Sequence, residues 1–198
     1  MKKAISLFIL FLFVLINSSA SEVKENKKGN FNWPKNRIGV SGSTFTGYGL
    51  TYYRHFGNKF VGKICMVAYG SIDGYDNNSK EFTYIIGTEF QYNIKQTKFS
   101  RLHLFAAFSN WYDENSYISG TEINNYKNLS IDRDYVVGIG FGVEFLAWHI
   151  ISFNLETGLM GRFGVNTNFE DNQMGMYVSK SYPKIYGFGI GGGISYAF

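Results

Sequence analysis

Cysteine occurs once in the 198 residues, as Cys65, so no internal disulfide can form even in an oxidising compartment. A small buried side chain is its expected role. Proline occurs only twice, so little interrupts extended segments. Beyond the first 20 residues no apolar run reaches 18 residues, which excludes transmembrane helices. Charge of one sign is not in excess. The formal net charge is +4, and +2 without Lys2 and Lys3, which gives no basis for a nucleic-acid partner. Catalytic and metal signatures are missing too: there is no Gly-x-Ser-x-Gly, no metal-ligand spacing and no ordered calcium loop around Asp73 and Asp76. His55, His103 and His149 fall at or near short turns and are expected to be solvated surface groups. The chain is therefore not expected to be an enzyme or to hold a cofactor.

What is present is patterned. Lys2 and Lys3 precede an apolar run from Ala4 to Ile16, and Asn17-Ser18-Ser19-Ala20 offers small residues for cleavage. Residues 1–20 thus read as a secretory signal peptide, too short for a membrane anchor. Residues 21–35, polar and rich in Lys and Asn, read as a flexible lead-in. Residues 36–198 form one domain dominated by period-2 alternation. In the last strand Tyr186, Phe188, Ile190, Ile194, Tyr196 and Phe198 alternate with Gly187, Gly189, Gly191, Gly193, Ser195 and Ala197. Successive side chains of a strand point to opposite faces, so one face is apolar and the other small. Segments 82–94, 134–145 and 151–165 repeat this pattern. Segments 36–43, 48–56, 60–70 and 101–112 show it more weakly, with Phe105 and Trp111 breaking the parity of the last. Eight strands result, the four strongest each long enough for the roughly 9–11 residues that a tilted strand needs to cross a bilayer; a count of ten would need strands inside the long connections, where alternation is poor.

From the second strand onward the connections run short, long, short, long: 57–59, 71–79, 95–100, 113–133, 146–149 and 166–183. Outer-membrane barrels have short periplasmic turns and longer extracellular loops. The first outer connection, 44–47, is short and departs from the pattern. A soluble barrel would turn its apolar face inward. The glycine-rich second face argues for the reverse, because glycines weaken a solvated sheet surface but leave room for long residues in a narrow lumen. The expectation is an all-β, eight-stranded antiparallel up-and-down transmembrane β-barrel with periplasmic termini.

The C-terminus resembles the terminal strand of outer-membrane barrels, with Gly193, Tyr196 and Phe198 at the positions of a Gly–x–x–aromatic–x–aromatic signal; Gly191 stands where a polar residue is common. Size and strand count over 36–198 resemble the small OmpA/OmpX-type barrels. That resemblance implies outer-membrane lipid, the barrel-assembly machinery and periplasmic chaperones as partners.

Ionisable residues fall on the inward face: Lys63, Glu89, Glu156 and Arg162, with Glu144 near the periplasmic end. Buried charges must be paired. They are expected either to plug the lumen as a salt-bridge network or to line a narrow channel. Glu156 and Arg162 are expected opposite Gly193 and Gly187. The long connections are expected to be extracellular loops, open to an unidentified ligand. Three roles remain: a structural or surface-interaction barrel, a channel for small solutes, and a lipid-modifying enzyme.

Overall fold

The computed structural model describes residues 33–72, 79–119, 126–148, 150–172 and 175–198. The expected signal peptide, most of the lead-in and His149 lie outside them. Among the described residues nine antiparallel strands form one closed sheet: β1 (Asn36–Ser43), β2 (Gly47–Phe56), β3 (Phe60–Ile72), β4 (Ser79–Gln96), β5 (Ser100–Ser119), β6 (Tyr126–Ala147), β7 (Ile151–Asn172), β8 (Gly175–Ser181) and β9 (Lys184–Ala197). Each strand pairs with its sequence neighbour through β7. Then β7 pairs with both β8 and β9, and β9 pairs with β1 to close the ring.

The ring has eight places, because β8 and β9 share one. Asn166 faces Ser181 and Phe163 faces Lys184, so the register runs through unshifted; only Tyr182-Pro183 interrupts the strand. Proline has no N–H to give a ladder, which accounts for the break. The register sets Glu156 opposite Gly191 and Arg162 opposite Ile185, two residues from the expected partners.

Alternation decides what faces where. In β4, Thr83, Ile85, Gly87, Glu89, Gln91 and Asn93 are buried, while Phe82, Ile86, Phe90, Tyr92 and Ile94 are exposed. Phe105 does not break the parity of β5: Arg101, His103, Phe105, Ala107 and Ser109 all point inward, and Leu102, Leu104 and Phe108 outward. The result is inverted relative to a water-soluble barrel. Ile139 is 63% exposed and Leu155 62%, whereas lysine, arginine and glutamate side chains inside are wholly covered.

Two of the expected loops are mostly sheet. β5 continues to Ser119 and β6 begins at Tyr126, while β7 continues to Asn172 and hairpins into β8. The polar residues of 113–133 and 166–183 pair across the ladder, Asn115 with Ser130 and Asn168 with Ser179. Ladder bonds, not apolar alternation, carry these extensions, so the period-2 signal fades there. The short first connection goes the other way. Thr44–Thr46 folds into the barrel, and a side chain on Gly87 would collide with the Thr46 carbonyl.

Candidate functional site

The lumen holds a continuous polar network in two tiers. In the tier nearer the middle, Lys63 Nζ donates to Glu89 Oε2 at 3.1 Å and to Glu156 Oε1 and Oε2 at 2.9 and 3.0 Å. Gln91 Nε2 donates to Glu89 at 2.6 Å and Asn154 Nδ2 to Glu156 at 2.8 Å. In the tier nearer the termini, Arg101 donates to Glu144 (2.6 Å), Asn93 (2.9 Å) and Gln91 (2.6 Å). Arg37 pairs with the same Glu144 and donates to Ser152 at 2.9 Å. Gln91 joins the tiers by donating to one and accepting from the other. Three cations meet three carboxylates, all with fully covered side chains, so the charge closes inside the wall.

Lys63, Glu89 and Glu156 of the sequence reading come together here, while Arg162 does not. Arg162 lies higher, donating from Nε to Asp134 at 2.9 Å with its side chain 37% exposed. Arg37 and Arg101 take the places it was expected to fill. Both share strand parity with lumen residues, which is the signal that could have found them. Each is the second residue of its strand, Arg37 of β1 and Arg101 of β5, a position where long charged side chains are ordinarily solvated.

Two histidines also require correction. His55 and His103 are buried in the lumen, not solvated. Neither ring nitrogen of His103 has a hydrogen-bond partner among the described residues. His103 offers a ligand atom within 4.8 Å of those of Glu89 and Glu156, but the Lys63 ammonium already bridges the two carboxylates.

Aromatic side chains cap the network at both ends. Trp33, assigned to the flexible lead-in by sequence, is instead buried: Nε1 donates to the Thr97 carbonyl at 3.0 Å, and the ring lies 5.6 Å from the Arg101 guanidinium and 5.9 Å from that of Arg37. At the other end Phe45, on the inward-folded turn, packs edge-on against Phe105 at 4.9 Å. A side chain on Gly138 or Gly189 would run into the Phe45 ring, so those glycines make room for this plug. Gly191 is the glycine that clears space for Glu156.

Above Phe45 the barrel widens into a vestibule of about 530 Å³, walled by Tyr48, Tyr69, Trp111 and Ile185 and carrying Asp113, Asp132, Asp134 and Arg162. Of the C-terminal residues, Gly193 and Tyr196 lie in β9 at the ring closure, Gly193 opposite Ser41 and Tyr196 opposite Ile38. Phe198 donates its backbone N–H to the Asn36 carbonyl at 3.1 Å.

The strand pairing and the inverted faces define an antiparallel closed barrel with an ionic interior. No protein-family model matches the chain, and no curated protein matches it. A solved structure, a major outer membrane protein from Thermus thermophilus, aligns with a TM-score of 0.43 at 12% sequence identity, covering 84% of this chain and 100% of that one.

Proposed function

We propose that this chain is an exported outer-membrane β-barrel with a closed lumen, acting at the cell surface through the sheet extensions of β5–β8. The observation that carries this reading is the inversion of the barrel: paired ions within and a belt of large apolar residues without. Phe188 at 85% and Ile190 at 70% exposure would form an aggregating surface in water and a favourable one in lipid. The neutral two-tier network and its aromatic caps favour a plug over a channel and over a catalytic role. Periplasmic termini, and recognition of Gly193, Tyr196 and Phe198 by the assembly machinery, belong to the same reading.

Orientation can be tested with single cysteines, since Cys65 is buried. Lys180→Cys on β8 should react with a membrane-impermeant thiol reagent on intact cells. Asn58→Cys, at the β2–β3 turn, should react only after the outer membrane is breached. The reverse pattern, or equal labelling of both in intact cells, would overturn the assignment.

A further inference from the structure

β1 and β2 stop short of their neighbours. Among the described residues the β3 ladder to β2 runs from Phe60 to Met66, so the backbone of 67–72 pairs with β4 alone, with a single Tyr48–Tyr69 hydroxyl hydrogen bond of 3.2 Å back to β2. On the other side, among the described residues, β9 bonds to β1 only from Gly191 onward, so residues 184–190 pair with β7 alone, apart from the Thr44–Ile190 bonds. Between these two edges the wall has a notch. The turn that ends it touches Gly87 and Gly138, and the outward apolar residues continue beyond that level with Phe82, Tyr84, Tyr135, Tyr186 and Phe188. The notch therefore opens within the apolar band, not above it. Its inner lining agrees. Tyr69 and Ile185 share strand parity with lumen residues yet are 51% and 53% exposed, and a Cβ on Gly187 would meet nothing within 4 Å.

Unpaired strand edges are costly in hydrocarbon unless they border a polar cavity or a bound group. Here they border the vestibule, whose size suits a small amphiphile. Its wall beyond Phe45 is polar and acidic: Arg162 engages Asp134, whereas no described cation pairs with Asp132 or with Asp113, which accepts from Thr83 and Asn115. Trp111 holds the Arg162 guanidinium 5.4 Å from its ring and meets Tyr48 edge-on at 6.1 Å, so this wall already accommodates a cation beside aromatic surface. We propose that the notch is a lateral entrance from the membrane, through which the vestibule takes a single-chain amphiphile bearing a protonated amine, chain toward lipid and amine toward Asp113 and Asp132. This rests on the outer-membrane reading above.

Trp111 makes the test direct. With Trp33→Phe and Trp148→Phe it is the sole tryptophan; should that variant misfold, the difference between wild type and Trp111→Phe gives the same signal. The protein is placed in phosphatidylcholine vesicles and titrated with an alkylamine brominated near its head, and separately with the matching brominated carboxylate. The amine should quench Trp111 saturably, and Asp113→Asn with Asp132→Asn should weaken it about tenfold, the scale of a lost charge-assisted hydrogen bond. Gly187→Phe, which fills the notch, should abolish the effect. Equal, non-saturating quenching by amine and carboxylate would overturn the proposal. So would protection by an equal concentration of water-soluble ethylamine, since that places the ligand in the open mouth. Heat-modifiable mobility and vesicle insertion are read on the same samples: failure to insert refutes the barrel reading, whereas insertion without saturable quenching refutes only the lateral site.

Discussion

Lys63 shows how a cation can be stable inside a barrel: both carboxylates it contacts are themselves held, Glu89 by Gln91 and Glu156 by Asn154. Removing it leaves two buried like charges facing each other. Lys63→Ala should therefore lower unfolding free energy by about 3–5 kcal/mol in urea titrations of the folded protein. Arg162→Ala should cost no more than about 1 kcal/mol, because that pair is partly solvated. Equal losses from the two would contradict the division between lumen network and vestibule. Parity along 82–94 and 151–165 made Glu89 and Glu156 legible from sequence. Arg37 and Arg101 were not, since residues beside turns are ordinarily solvated. Trp33 could not be found at all, because its setting depends on His55, Thr97 and Arg101, all distant in sequence, as well as on nearby Arg37.

Elements differ in how plainly they announce themselves. β4, β6, β7 and β9 alternate strongly where they bury one face, and their inner reaches were legible. The outer reaches of β5–β8 have polar residues on both faces and are held by hydrogen bonds to partners the sequence does not reveal. The β1–β2 turn is the opposite case: its shortness was visible, but its inward fold depends on Gly87, Gly138 and Gly189 in remote strands. Gly138→Val should expel Phe45 from its seat and cost about 1–3 kcal/mol by overpacking. Phe45→Ala should cost about 3–5 kcal/mol through the cavity left beside Phe105. Both are checked by the shift in urea midpoint; a silent Gly138→Val would mean that the turn does not sit in the lumen. On the outer face, Leu155→Arg should cost about 2–4 kcal/mol in lipid vesicles, the expense of a cation at bilayer depth. Unchanged stability there would remove that strand from the lipid belt.

At the scale of the whole molecule, one sheet closes on itself and divides its length between a packed half and an open half. From the termini to Phe45 the interior is filled by charge pairs and aromatic caps; beyond Phe45 it widens into the vestibule, beneath the sheet extensions. A path for ions would have to pass Phe45 and Phe105, then the Lys63 and Arg101 tiers, then Trp33. Eight strands leave an interior that side chains just fill, and here they do so with their charges balanced. Conductance across planar bilayers tests this most directly. Folded protein should insert, as shown by heat-modifiable mobility, and give no steady current steps above the bare membrane. Steady steps that disappear or change size with Lys63→Ala or Phe45→Trp would show that ions travel through the lumen, and would contradict the closed barrel.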